Sequence, residues 1–313
     1  MKSFNSNSTV SVIIPVLNGE DTLGELFASL ANQTLRPLEI VVGDSSSDDD
    51  SVEICKINGA RVISYPRLSF DHGSSRTMLA KEARGEIVVF LTQDVVLANR
   101  DSLAILVNSL LQDEKTACGY GRQLPHKNAT FIAAHLRKFN YPSISYTRSF
   151  ADRYRYGLKT IFISNSFAAY KKKELMQVGF FQNGLIFGED TCTLGKLLQA
   201  GCRVAYVSKA AVYHSHNYSF AAEFRRSFDI GVLHSSEKWL LDVYGGAEKI
   251  GNLYIRSAVQ DIFQEKKYWL LSDLIGRSLS KYAGYRLGRS FKKIPAGLRP
   301  RLSMNCRWWK KGG

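Results

Sequence analysis

Between residues 10 and 94 the chain repeats one pattern: a short apolar run, a polar turn, then a stretch of helical spacing. The apolar runs cover 10–15, 39–43, 60–64 and 86–91, and the helical stretches 22–32, 51–57 and 76–83. Strands that are apolar at nearly every position must be covered on both faces. That requires a parallel sheet with crossover helices, an α/β architecture. In such a sheet ligands collect outside the carboxyl ends of the strands. Asn18, Asp44 and Asp94 stand at those ends.

The pattern loosens after residue 120. A strand is expected over 160–170, helices over 171–178 and 189–200 with Gly201 as the stop, and two strands over 203–207 and 211–214. From 219 onward the chain reads as mostly helical. No repeat and no Ser/Gly linker interrupts it. The expected division is 8–120, 121–218 and a basic helical region 219–313.

Charge follows this division. The net charge of +14 resolves into −6 over residues 1–120 and +20 over 121–313, of which 271–313 carry +10. A duplex binder spreads cations over its contact face, so the acidic first part argues against nucleic acid. Leu271, Leu274, Ile275, Leu279 and Tyr282 fall on one helical face flanked by Lys and Arg, and Trp308, Trp309, Lys310 and Lys311 follow near the end. Two readings stand: an amphipathic helix packed on its own domain, or a surface that meets anionic membrane headgroups. A chain of 313 residues buries a large core without disulfides. Its five cysteines are scattered with no CxxC pair, which reads as reduced thiols in a cytoplasmic protein. No uncharged apolar run is long enough to span a bilayer, and MKSFNSNSTV lacks the apolar segment of a secretory signal.

Three places carry candidate chemistry. Asp94 ends an apolar strand, where a carboxylate suits a divalent cation beside a diphosphate or caps a helix. Glu189 and Asp190 open a helix: acids there complement the dipole, or one serves as a general base. His214 and His216 follow a strand and are expected on opposite faces if it continues. GxGxxG, GxxxxGK[ST] and GxSxG are all absent, which disfavours a dinucleotide fold, a P-loop and a hydrolase elbow.

The ordered set SVIIPVLN (11–18), LEIVVGDSSS (38–47), ARGEIVVFLTQD (83–94) and GED (188–190) resembles the family 2 glycosyltransferases, which have the GT-A fold. The resemblance covers roughly residues 8–218. It implies a Rossmann-like nucleotide-binding sheet, a nucleotide-sugar donor, Mg²⁺ or Mn²⁺, and inversion at the anomeric carbon. It makes 8–120 the nucleotide-sugar half and 121–218 the acceptor half. Pro15, Asn18 and Glu20 would lie at the nucleotide, Asp44 at the base or ribose, and Gly73 and Arg76 along its border. Asp94 takes the last place of the DXD metal motif, with Thr92 and Gln93 in the first two; Gln93 and Asp94 would face the donor. Asp190, with Glu189 beside it, takes the place of the catalytic base, and His214 that of a further metal or diphosphate contact.

A narrower likeness rests on FDHGSSR (70–76), FLTQD (90–94) and YHSHNYS (213–219), which look like bacterial rhamnosyltransferases of O-antigen assembly. It implies dTDP-L-rhamnose as donor. It implies as acceptor a polyprenyl-diphosphate-linked glycan at the inner face of the cytoplasmic membrane, with the enzyme peripheral there. The rival readings are a transferase of the same fold using another UDP- or GDP-sugar, and a non-enzymatic basic protein that binds membrane or nucleic acid.

Overall fold

The computed structural model describes residues 8–246 and 248–311. Strands β1 (Val10–Val16), β2 (Glu39–Asp44) and β3 (Arg61–Ser64) alternate with helices α1 (Glu20–Ala31), α2 (Ser51–Ile57) and α3 (His72–Glu82), and β4 (Ile87–Leu91) follows. These strands pair in parallel in the order β3–β2–β1–β4, as the apolar runs require. Successive residues serve opposite faces: Ile13, Val41, Val88 and Phe90 enter one core cluster, and Val12, Ile14, Val42, Val89 and Leu91 the other. Helix α3 starts four residues earlier than its apolar spacing suggests, because Asp71 caps it by accepting from Ser74 N at 2.7 Å.

The chain continues through β5 (Val96–Leu97), α4 (Ser102–Leu111), β6 (Thr116–Leu124), α5 (Phe131–Asn140), β7 (Tyr146–Arg148), α6 (Arg153–Tyr156), β8 (Phe167–Lys171), α7 (Lys172–Gln177), α8 (Glu189–Gln199) and β9 (Arg203–Tyr213). The sheet extends from β4 through β8, β6 and β9. Strand β8 is antiparallel to β4 and β6, β9 is parallel to β6, and β5 and β7 pair antiparallel with opposite ends of β9. The sheet is therefore parallel in its first half and mixed in its second. The expected border at residue 120 falls inside β6.

Two expectations are corrected here. The strand expected over 160–170 is only its last part: residues 157–161 form 3₁₀ turns, and Ser164, Asn165 and Ser166 precede the ladder. Their short polar side chains bond locally and across the site instead of extending the strand. The two strands expected over 203–214 are one long strand, bulged where the register with β6 jumps from Gly121–Val207 to Arg122–Ala211. It ends at Tyr213, and the next residue, His214, still donates its N–H to the Leu124 carbonyl at 2.9 Å.

The last region is helical: α9 (Phe220–Ser236), α10 (Trp239–Tyr244), α11 (Glu248–Gln264), α12 (Leu270–Arg289), α13 (Arg299–Leu302) and α14 (Cys306–Lys310). Helices α9 and α12 touch backbone to backbone. A Cβ on Gly288 would sit 2.0 Å from the Phe228 carbonyl oxygen, and one on Gly284 2.3 Å from that of Phe224. This contact leaves most of the apolar face of α12 uncovered. Leu274 is buried with α5 and α11, whereas Ile275, Leu279 and Tyr282 are 59%, 63% and 62% exposed. The glycines, not the large apolar residues, choose which side of the helix faces the protein. Trp308 and Trp309 pack on the main core, and Trp308 Nε1 donates to the Gly184 carbonyl at 2.9 Å. All five cysteines are free, and no described helix is long and apolar enough to cross a membrane. The start of the sequence, on which the absence of a leader was read, lies mostly outside the described residues.

Candidate active site

The loops after β1, β2 and β4 meet at the carboxyl edge of the sheet. Gln93 clamps the first of them: its Oε1 accepts from Leu17 N at 2.8 Å and its Nε2 donates to Leu17 O at 3.1 Å. Asn18 adopts φ 48°, its N–H donates to Ser47 Oγ at 2.9 Å, and its Oδ1 accepts from Asp48 N at 3.0 Å. Glu20 accepts from Asp50 N at 3.1 Å, and buried Asp44 accepts from Ser47 N at 3.1 Å. Pro15 pairs with Gly43 across β1 and β2. These hydrogen bonds brace the loops after β1, β2 and β4 against one another.

Asp94 lies directly beyond β4, facing the chain that leaves β9. Its Oδ2 is 3.4 Å from His214 Nε2 and 3.7 Å from His216 Nε2. The resemblance had singled out His214 alone as a ligand. The expected opposition of the two histidines fails, because residues two apart on an extended chain lie on one side; His216 reaches the same carboxylate, and the three donor atoms lie within 4.8 Å of one another. The orientation of His214 follows from its surroundings. Arg137 can only donate, and it donates to Gln123 Oε1. That amide oxygen must also receive His214 Nδ1–H, at 3.0 Å, which turns Nε2 toward Asp94. Burial alone would raise the Asp94 carboxyl, but His214 and His216 overcome it and hold the group well below the usual carboxylate range. Burial and the adjoining His214 push His216 down to about 4, so it is neutral near pH 7.

One carboxylate and two imidazoles, one of them oriented by a second-shell hydrogen bond, fit a divalent cation. Nitrogen donors favour Mn²⁺ over Mg²⁺ in such a set. The spacings are long for hydrogen bonds and ordinary for two ligands of one ion.

A second cluster forms at the head of α8. Gly188 precedes it at φ 82°, a conformation that favours glycine, and a Cβ there would strike Leu233 at 2.6 Å. Glu189 is 4% exposed and ion-paired with Arg76 at 3.0 Å. Arg76, expected along the nucleotide border, is itself buried and also reaches His72 Nδ1 at 3.3 Å. Gly73 lies where α3 crosses residues 182–183; a Cβ would come within 1.8 Å of the Gln182 carbonyl oxygen. Asn165 donates to Glu189 at 3.4 Å and is held by the Tyr170 hydroxyl at 2.8 Å.

Asp190 is half-buried. It accepts from Thr191 N at 2.7 Å and from Asn165 N at 3.3 Å. The two acids are driven apart. Burial raises both, but the Arg76 charge brings Glu189 below its ordinary value. Asp190 is pushed well up by burial and by the charge of Glu189. Environments that separate two neighbouring carboxyls in this way assign them different tasks. Glu189 is held as the buried counter-ion of Arg76, and the Asp190 carboxyl is held closer to its neutral form.

The two clusters are joined. His214 bonds Gln123 Oε1, Gln123 Nε2 donates to Ser164 Oγ at 3.1 Å, and the next residue, Asn165, donates to Asp190. The sequence contained no signal for Gln123, Ser164 or Asn165. Their roles exist only because β6, β8 and β9 lie near one another. The His-x-His spacing was the one available pointer to His216.

Comparison with known proteins follows the same lines. The description "Glycosyl transferase family 2" matches residues 11–179. The chain is 35% identical over 302 residues to the O-antigen chain rhamnosyltransferase RfbN of Salmonella typhimurium, covering 96% of each protein. It is 35% identical to the O-antigen chain rhamnosyltransferase WbaN of Salmonella anatum, covering 96% of this chain and 95% of the relative. Among solved structures, the mannosyltransferase PcManGT from Pyrobaculum calidifontis, in complex with GDP-Man and Mn²⁺, superposes with a TM-score of 0.65 at 16% identity, over 92% of this chain and 89% of that one. Residues 1–349 of TarS from S. aureus superpose with a TM-score of 0.57 at 16% identity, over 97% and 92%. These two likenesses concern the fold, which is mixed α/β of the GT-A type.

Proposed function

The chain belongs to glycosyl transferase family 2, and on that premise we propose that it moves L-rhamnose from dTDP-L-rhamnose onto a polyprenyl-diphosphate-linked O-antigen glycan. It is a glycosyltransferase, which sets aside the non-enzymatic reading. The observation that carries the mechanism is the divergence of the two acids at the head of α8. Glu189 is neutralised by Arg76, and Asp190 is raised and accessible.

Asp190 takes the proton of an acceptor hydroxyl as that oxygen attacks the far side of the anomeric carbon. A single displacement inverts the configuration and needs one base and no covalent intermediate. A raised carboxyl serves well here, because a base is most effective when its affinity for the proton lies near the working pH. Asp94, His214 and His216 would hold Mn²⁺ or Mg²⁺. When bound, such an ion supplies Lewis-acid stabilisation of a departing diphosphate. The braced loops carrying Pro15, Asn18, Glu20, Asp44 and Gln93 would line the nucleotide end, with residues 8–120 serving the donor and 121–218 the acceptor.

Ile275, Leu279 and Tyr282 form an exposed stripe that continues into Arg286, Arg289, Lys292 and Lys293. It supports a peripheral position on an anionic membrane, where such an acceptor resides. The reading is tested by incubating the full chain and Mn²⁺ with a lipid-linked acceptor and, separately, dTDP-L-rhamnose, UDP-sugars and GDP-sugars. Product formation with the rhamnosyl donor and inversion seen by NMR are expected. Transfer only from a UDP- or GDP-sugar assigns the other donor class.

A further inference from the structure

Two guanidinium groups beside the Asp94 triad lack a counter-charge. Arg137, on α5, donates to Gln123 Oε1, the oxygen that also receives His214, and lies 5.8 Å from the Tyr141 ring. Its Nε is buried with no acceptor. Arg226, on α9, is exposed and lies 5.9 Å from the Tyr218 ring, which is 5.4 Å from the ring of His216. The rings of His216 and His214 are 4.7 Å apart. Named contacts therefore run from Arg137 through Gln123, His214, His216 and Tyr218 to Arg226.

Neither arginine has an ion pair among the described residues. The acids one turn away from Arg226 on α9 are committed elsewhere. Glu223 is held by Arg277 at 3.7 Å and Lys281 at 3.3 Å. Asp229 accepts from Ser303 Oγ at 2.6 Å and Met304 N at 3.0 Å. Burial lowers the basicity of Arg137 and the charge of Arg226 adds to that, so the two cations act on each other.

We propose that Arg137 and Arg226 form a clamp for a phosphate-bearing ligand beside Asp94, His214 and His216. Like charges gathered around one polar cluster are comfortable when an anion lies among them. Guanidinium groups meet phosphate oxygens with paired, charge-assisted hydrogen bonds. The triad contributes a single carboxylate, so a cation held there leaves much of a diphosphate's charge for other groups to balance. The unmet Nε of Arg137 and the exposed fork of Arg226 are the donors at hand. The phosphate belongs either to the nucleotide of the donor or to the diphosphate that carries the acceptor glycan. The inference rests on the transferase reading above.

The experiment uses the full chain and the variants Arg226→Gln, Arg226→Lys and Arg137→Gln, with thermal melting as a check on folding. Binding of dTDP, thymidine and inorganic pyrophosphate is measured by calorimetry in EDTA, so that the readout does not depend on metal. Rates are compared for a lipid-diphosphate acceptor and the same glycan on a neutral alkyl linker. Losing one charge-assisted contact weakens binding roughly 10- to 100-fold. If the donor's phosphate is the ligand, Arg226→Gln weakens dTDP and pyrophosphate by that factor, spares thymidine, and is partly rescued by Arg226→Lys. If the acceptor's phosphate is the ligand, dTDP binding holds and KM rises only for the diphosphate-borne acceptor. The clamp is overturned when wild-type and Arg226→Gln proteins match in every arm, or when thymidine and the neutral acceptor lose as much as their charged counterparts. Should Arg137→Gln melt early, Arg226→Gln, at an exposed position, decides alone. A wild-type chain that binds no nucleotide and transfers no sugar refutes the transferase reading itself; a wild type that does both while the variants are unchanged refutes only the clamp.

Discussion

Exchanging each acid at the head of α8 for its amide separates the two roles assigned there. Glu189 is buried against Arg76 at 3.0 Å, and that guanidinium's other hydrogen-bond partner among the described residues is His72. Glu189→Gln leaves a buried cation uncompensated, which costs about 3–5 kcal/mol. For a chain of this size that is a fall in Tm of roughly 5–10 °C. Asp190→Asn does the opposite. It removes a carboxyl that burial and Glu189 both disfavour in its ionised form, so stability at neutral pH should hold or rise. The rate should drop roughly 10²–10⁴-fold, the usual contribution of a positioned base, with donor binding unchanged.

The sign with pH follows from the raised Asp190. Its contribution to stability is fully present below the unfolded carboxyl value and is lost as pH rises through the folded one. Wild type should therefore lose ground to Asp190→Asn on going from acid to neutral pH. Melting curves from pH 4 to 8, with transfer rates from wild type and both variants, make the test. An Asp190→Asn enzyme of normal rate, or a Glu189→Gln protein that melts like wild type, would falsify the assignment.

Other outcomes follow from the same geometry. Asp94→Ala and His216→Ala should each abolish the dependence of donor binding on Mn²⁺, measured by titration calorimetry; unchanged metal dependence in His216→Ala would remove it from the ligand set. Gly288→Ala puts a methyl 2.0 Å from a backbone oxygen and should destabilise the protein by about 1–3 kcal/mol or more. Gly24→Ala, with nothing within 4 Å, should be neutral or stabilise by up to about 1 kcal/mol in the same denaturation assay. Leu279→Asp with Tyr282→Asp should reduce sedimentation with anionic vesicles while leaving transfer to a water-soluble acceptor intact; equal sedimentation would clear α12 of a membrane role. Removing residues 303–313 takes away the hydrogen bonds of Trp308 to Gly184 and of Lys311 to Phe70, at 2.9 and 2.8 Å. The loop that carries the cap of α3 should then loosen, lowering kcat and the protection of α3 in hydrogen exchange.

Local periodicity was enough for β1 to β4, their parallel pairing, a helix over 189–200 and the two acids at its head. Each follows from residues within a few positions of one another, where side-chain alternation and capping act. The pairing of Asp94 with a histidine motif more than a hundred residues later was legible only as a resemblance. That both histidines reach it follows from their spacing of two, which keeps them on one side of an extended chain. Partners remote in sequence were invisible: Arg76 on Glu189, Gln123 between His214 and Ser164, and Asn165 on Asp190 arise from the packing of β6, β8 and β9. The direction in which the apolar face of α12 points was not legible for a related reason. Hydrophobic spacing reports which residues prefer to leave water, whereas Gly231, Gly284 and Gly288 decide how closely two backbones can approach, and that preference has no periodic signal. Short-range sterics and hydrophobicity therefore settle the elements. The charges of the site are settled by burial and by neighbours that only the closed fold brings together.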